Sequence, residues 1–87
     1  MMSGDTQELS RDQAIAEESR RIRRLQLTVR LVMNVISQSD LPFEEASKMV
    51  AATRQVAVNL FPGKEETYDL LYQPRLQRLL AQKYRLQ

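Results

Sequence analysis

The pattern of apolar and polar positions divides the chain into three helical stretches. The first runs from Ser10 to Ser39 without a glycine or a proline, and its apolar residues recur at intervals of three and four. Such a stripe covers one face of an α-helix. From Leu25 onward the stripe widens until most of the helix surface is apolar, which predicts contacts on more than one side. We therefore predict one long helix that begins near Ser10, a residue suited to capping a helix N-terminus.

The segment from Leu25 to Val35 also alternates between apolar and polar positions, a pattern typical of a β-strand. Two observations favour a helix instead. No turn residue separates this segment from the helical pattern before it, and no other part of the chain alternates so as to pair with it. A lone strand would leave its backbone N–H and C=O groups without partners. We therefore predict a helix over the whole stretch.

Two further helical stretches follow, each introduced by a turn. Pro42 suits the first turn of a new helix, and Asp40 is the expected cap. This second stretch is amphipathic and ends at Pro62-Gly63, a typical stop signal. The third stretch covers Lys64 to about Tyr84. Because a proline inside a helix removes a hydrogen bond and costs about 3 kcal/mol, Pro74 predicts a kink or a restart there.

These stretches predict an all-α fold of three helices, with a long N-terminal helix and a third helix kinked or broken near Pro74. Residues 1–8 are expected to form a disordered polar tail, and residues 9–87 a single helical domain. The first helix is longer than the second can cover, so we expect a homodimer in which a second copy covers it. The predicted dimer interface consists of Ile15, Ile22, Leu25, Val29, Val32 and Ile36.

Composition restricts the chemistry that the chain can carry. Histidine and cysteine are both absent, so the usual ligands of a zinc site are missing and no disulfide can form. There is also no glycine-rich phosphate loop. We therefore expect a protein that is not an enzyme and has no catalytic residues, metal or cofactor. No apolar run approaches the roughly 20 residues of a membrane span, the first residues are too polar for a signal peptide, and the lack of cysteine suits a cytoplasmic location.

Positive charge is concentrated in two places, although the net charge is only +2. The first helix carries an arginine cluster, and residues 74–87 carry four cations and no acid. Arginine suits carboxylates and phosphates. At about 100° per residue the cluster spreads over half of the helix, and no aromatic residue lies within it to stack on bases. We therefore expect this cluster either to contact an acidic protein partner or to be solvated helix surface. It consists of Arg20, Arg21, Arg23 and Arg24.

The leading hypothesis is a small helical protein-interaction or regulatory module that self-associates through its first helix. The alternative is a nucleic-acid-binding accessory protein. It would use the arginine cluster and the basic C-terminus, formed by Arg75, Arg78, Lys83 and Arg85. The two hypotheses differ in salt dependence, because binding to a nucleic acid releases counterions and weakens steeply as salt rises.

Overall fold

The computed structural model describes the backbone of residues 2–85 and the side chains of residues 10–85. Within that range the chain forms four helices, α1 (Met2–Gln38), α2 (Phe43–Leu60), α3 (Glu65–Leu71) and α4 (Gln73–Tyr84). The predicted all-α class is confirmed, and residues 2–85 contain no strand. No helix in this range has both the length and the hydrophobicity of a transmembrane segment.

The predicted number of helices is wrong, because the third stretch is divided into α3 and α4. The two helices meet at Tyr72, whose carbonyl accepts the Arg75 N–H at 3.1 Å. Pro74 lies in the first turn of α4. A helix leaves the N–H groups of its first turn without intrahelical partners, so the missing N–H of proline breaks no hydrogen bond there.

The bounds of α1 also differ from the prediction. The helix begins at Met2, well before Ser10, and includes most of the segment predicted as a polar tail. The disorder predicted for residues 1–8 stays a prediction, which hydrogen exchange can test. The segment from Leu25 to Val35 is helical throughout, so the strand alternative is wrong.

The core lies where the C-terminal half of α1 packs against α2 and α4. Periodic apolar positions on each helix supply it, and α3 adds one tyrosine. Its buried side chains are Leu25, Val29, Ile36, Ala46, Val50, Ala57, Tyr68, Leu76 and Leu80. Thr53 is also buried in this core, and its hydroxyl donates to the Met49 carbonyl at 2.8 Å.

Two neighbouring residues of α4 hold the turn between α1 and α2. The last turn of α1 contains no cation, although the C-terminus is the negative end of a helix dipole. Lys83 supplies that charge from α4, because its Nζ donates to the carbonyls of Ile36 and Ser39. The Tyr84 hydroxyl donates to the Leu41 carbonyl at 2.6 Å. These hydrogen bonds fasten α4 to the end of α1.

No side chain caps the start of α2, so the prediction of Asp40 as its cap is wrong. Pro42 occupies the cap position, and its carbonyl accepts the N–H groups of Glu45 and Ala46 at 3.1 Å each. Glu44 and Glu45 lie in the first turn, where negative charge interacts favourably with the helix dipole.

An ion pair joins α2 to α3. Arg54 donates from Nε to Asp69 Oδ1 at 2.8 Å and from Nη2 to Oδ2 at 3.0 Å. Such a two-pronged pair fixes orientation as well as distance. The hydrogen bond from Arg54 lowers the pKa of Asp69 below its ordinary value. Together with the burial of Tyr68, this pair holds the short α3 against the bundle.

Candidate interaction surface

The N-terminal part of α1 projects beyond the rest of the fold. α1 has 37 residues and α2 has 18, which correspond to lengths of about 55 Å and 27 Å. Because a short turn joins them at the C-terminal end of α1, α2 ends about halfway along α1. The resulting molecule measures 62 × 23 × 15 Å along its principal axes. All residues from Ser10 to Arg24 are exposed.

The projecting part continues the apolar stripe that forms the core. Ile15 is 56 % exposed and Ile22 is 41 % exposed, whereas Val29 is buried. These three residues are spaced seven apart, which places them on nearly the same side of the helix. The side of α1 that meets α2 and α4 in the core therefore carries Ile15 and Ile22 outside the bundle. Glu18 interrupts this stripe, and the rest of the chain covers the two isoleucines only in part.

A groove of about 340 Å³ lies between α1 and α3, next to this stripe. Leu71, at one side of the groove, is 60 % exposed. Two charged side chains, Glu18 and Lys64, also line it. The apolar walls are formed by Ile22, Leu25, Ala57, Phe61, Tyr68 and Leu71. The groove and the stripe thus form one apolar surface that spans two helices.

Tyr68 contributes to the groove through its ring. The side chain is 4 % exposed, and its ring stacks on that of Tyr72 with the centroids 5.6 Å apart. Among residues 10–85 no group accepts or donates a hydrogen bond at the Tyr68 hydroxyl. Burial raises the pKa of Tyr68 to about 12, so the side chain is neutral at physiological pH and serves for packing.

The structure divides the predicted dimer interface. Leu25, Val29 and Ile36 are buried in the core of their own chain, and Val32 is packed against it. The prediction that Leu25, Val29 and Ile36 form a dimer interface is therefore corrected to packing within one chain, because a second copy could reach these three side chains only by opening the core. Val32 packs against the core but is only partly buried. Ile15 and Ile22 remain accessible, and the dimer interface stays a prediction for these two.

The arginine cluster is exposed along its whole length. Arg21 lies 3.6 Å from Glu17 across one helical turn, and exposed pairs of this kind stabilise a helix only slightly. Within residues 10–85 the other three arginines have no carboxylate within 4.0 Å. At about 100° per residue, Arg20 and Arg24 point away from the apolar stripe. They share that side with Leu27 and Leu31, which are also exposed.

The basic C-terminus is less uniform than predicted. Lys83 is engaged by the carbonyls at the end of α1, so its charge serves the fold. Arg75, in contrast, lies with Arg30 of α1 at a cavity of about 360 Å³. The cavity therefore joins one cation of the C-terminal segment to one of the first helix, outside the predicted arginine cluster.

Sequence periodicity assigns Phe61 and Leu71 to apolar faces of separate helical stretches, and it does not show that the two residues form the wall of one groove. Leu71 ends α3, so its position depends on the break at Tyr72. No group of three or more carboxylates that could hold a metal ion occurs within residues 10–85.

Comparison of the chain with models of known protein families, with curated proteins and with solved structures finds no match.

Proposed function

We propose that this chain is a non-enzymatic interaction module that self-associates through the projecting part of α1. The observation that carries the proposal is the exposed continuation of the core stripe, in which Ile15 and Ile22 lie open beside an apolar groove. Exposed apolar surface of this kind, bordered by charged residues, is typical of protein interfaces. The lack of cysteine is in keeping with a reducing compartment such as the cytoplasm.

A second copy of the chain is the partner that fits this surface most directly. Every copy carries the same stripe and the same groove, so a two-fold pair covers both sets of apolar side chains with one contact. A chain of 87 residues also has a small core and gains stability from any surface buried between copies. The arginine cluster, which lies mostly outside the stripe, would remain available to an acidic protein partner.

The test is the oligomeric state of a double variant, Ile15→Ser with Ile22→Ser. Full burial of such a side chain contributes about 1.5–3 kcal/mol. Because each is already about half covered, roughly 1 kcal/mol remains for each on association. A symmetric dimer contains four of these side chains, so the variant should lose about 4 kcal/mol, equivalent to about a thousandfold increase in Kd.

Sedimentation equilibrium from low to high micromolar concentration measures this Kd. The matched control is Leu27→Ser with Leu31→Ser, which removes two exposed apolar side chains from the opposite side of α1. We expect the control to dimerise like the unmodified chain and the stripe variant to be monomeric with unchanged helix content. An unmodified chain that is monomeric throughout this range refutes self-association.

Binding of a nucleic acid is a second candidate function. The observation that favours it is the shared cavity at Arg30 and Arg75, which brings cations of α1 and α4 to one place. The hydrogen bonds from Lys83 to backbone carbonyls weigh against nucleic-acid binding, because they occupy one of the four cations predicted to contact a nucleic acid at the C-terminus. A steep fall of oligonucleotide affinity with rising salt would identify this function.

A further inference from the structure

The cavity between α1 and α4 brings together side chains that can donate hydrogen bonds to oxygen atoms. Gln26, Arg30 and Asn34 follow one another at intervals of four residues, so they lie along one side of α1. Arg75, in α4, and Tyr72, where α3 and α4 meet, line the cavity as well. Two guanidinium groups, two carboxamides and one phenol hydroxyl therefore belong to the lining of a single space. Its volume of about 360 Å³ lies within the range of small-molecule sites.

The charges at this cavity are all positive. Among residues 10–85 no carboxylate lines it, and neither Arg30 nor Arg75 has a carboxylate within 4.0 Å. The first turn of α4 also carries no acidic residue, whereas the first turns of α2 and α3 carry two glutamates each. The positive end of the α4 dipole therefore adds to the charge of the two arginines. Like charges repel each other, and an anion bound between the arginines removes that repulsion.

We propose that this cavity is a binding site for a small organic phosphate, a phosphate monoester that carries an apolar group. Such a phosphate has a charge of about −1.5 to −2 at pH 7, which the two guanidinium groups balance, and each of them can donate two parallel hydrogen bonds to its oxygens. Val29 and Met33 supply the apolar part of the lining and suit the group that carries the phosphate. The site uses no residue of the projecting segment, so this inference goes beyond the proposed self-association and does not depend on it.

Two features favour a phosphate monoester over the backbone of a nucleic acid. Each backbone phosphate carries one negative charge and balances only one of the two arginines, as a single carboxylate also would. Unpaired bases bind by stacking on aromatic rings, but the ring of Tyr72 already stacks on that of Tyr68, with the centroids 5.6 Å apart. The lining therefore fits a ligand with two negative charges on one group.

NMR titration of the full-length, ¹⁵N-labelled chain with phenyl phosphate tests this site. A salt concentration of about 0.15 M screens charges that only attract the ligand from a distance. We expect saturable shifts of the side-chain amide signals of Gln26 and Asn34, and weaker binding of inorganic phosphate, which has no apolar group. The double variant Arg30→Gln with Arg75→Gln should bind phenyl phosphate at least about tenfold more weakly. Both arginines are exposed, so helix content by circular dichroism should be unchanged.

Two further variants separate specific recognition from net charge. The matched control, Arg11→Gln with Lys48→Gln, removes two exposed cations outside the cavity and lowers the net charge equally. It should bind phenyl phosphate like the unmodified chain. The variant Arg30→Lys with Arg75→Lys keeps the charge but loses the planar fork of donors. Its affinity should lie between those of the unmodified chain and the glutamine variant, and undiminished binding would contradict recognition by the guanidinium groups.

The inference is overturned if the signals of Gln26 and Asn34 show no saturable shift. Equal weakening in the glutamine variant and in the matched control also overturns it, because net charge alone would then explain the binding. A single-stranded oligonucleotide that shifts these signals where phenyl phosphate does not would assign the cavity to a nucleic-acid backbone instead. Self-association is measured separately by sedimentation, so failure of the phosphate site leaves the proposed function standing.

Discussion

Lys83 closes the C-terminal end of α1, and its removal should destabilise the whole fold. The last carbonyls of a helix have no intrahelical partners. Lys83 Nζ donates to the carbonyl of Ile36, in the last turn of α1, and to the carbonyl of Ser39, the residue after the helix. α1 has no cation of its own in its last turn. We choose the substitution Lys83→Met because it keeps the length and the apolar stem of the side chain and removes only the ammonium group.

The expected loss follows from these contacts. A hydrogen bond to a charged group contributes about 1.5–3 kcal/mol net, and a cation at a helix C-terminus adds about 0.3–1 kcal/mol. Lys83 is only half-buried, so water replaces part of what the substitution removes. We therefore expect a loss of about 2 kcal/mol in the free energy of unfolding. For a domain of this size, that loss lowers Tm by about 8–16 °C.

Urea unfolding followed by circular dichroism, at one fixed protein concentration, measures this difference. The matched control is Lys48→Met, because Lys48 is exposed and its ammonium group lies 3.6 Å from the Glu45 carboxylate in a surface ion pair. Its substitution should change stability by less than about 0.5 kcal/mol. Equal urea midpoints for the two variants would show that Lys83 does not hold the end of α1, and would refute this account of the turn.

Two further predictions concern side chains around α3. Tyr68→Phe removes a buried hydroxyl that has no partner among residues 10–85 and should stabilise the fold by roughly 1 kcal/mol. The control, Tyr72→Phe, should change stability little. A loss of stability for Tyr68→Phe in urea unfolding would show that the Tyr68 hydroxyl makes a hydrogen bond. Arg54 lowers the pKa of Asp69, so their pair contributes fully above the unfolded pKa of about 3.9, and that contribution is lost as the pH falls through the lower folded-state pKa. Asp69→Asn should therefore reduce the acid-induced fall in stability, and an identical fall in both proteins contradicts this assignment.

The fold class was predictable because helical periodicity depends on local sequence. The turns at Pro42 and Pro62-Gly63 were predictable for the same reason, since proline and glycine restrict or release the backbone wherever they occur. The break between α3 and α4 was harder. Pro74 allows either a kink or a restart, and the choice depends on how Tyr68 and Leu76, on either side of the break, fit into the core. That fit is a tertiary property.

The candidate site shows a similar limit. Periodicity identified the apolar side of α1 but not what covers each part of it, so Leu25 and Val29 were predicted at a dimer interface and lie in the core instead. Lys83 was predicted as a nucleic-acid contact and bonds to Ile36, 47 residues away in the sequence. Neither pattern nor composition connects two residues so far apart.

The projecting part of α1 also links helix formation to association. A helical segment without tertiary contacts is only marginally stable in water, and its growth from an existing helix avoids the unfavourable nucleation step. The packed half of α1 provides that starting point, whereas the exposed Glu17–Arg21 pair adds only a few tenths of a kcal/mol. The larger contribution available to the segment is further burial of Ile15 and Ile22, which remain 56 % and 41 % exposed in the single chain. If a second copy buries them, the contact that joins the two chains is also the contact that keeps the segment helical, so the two processes stabilise each other.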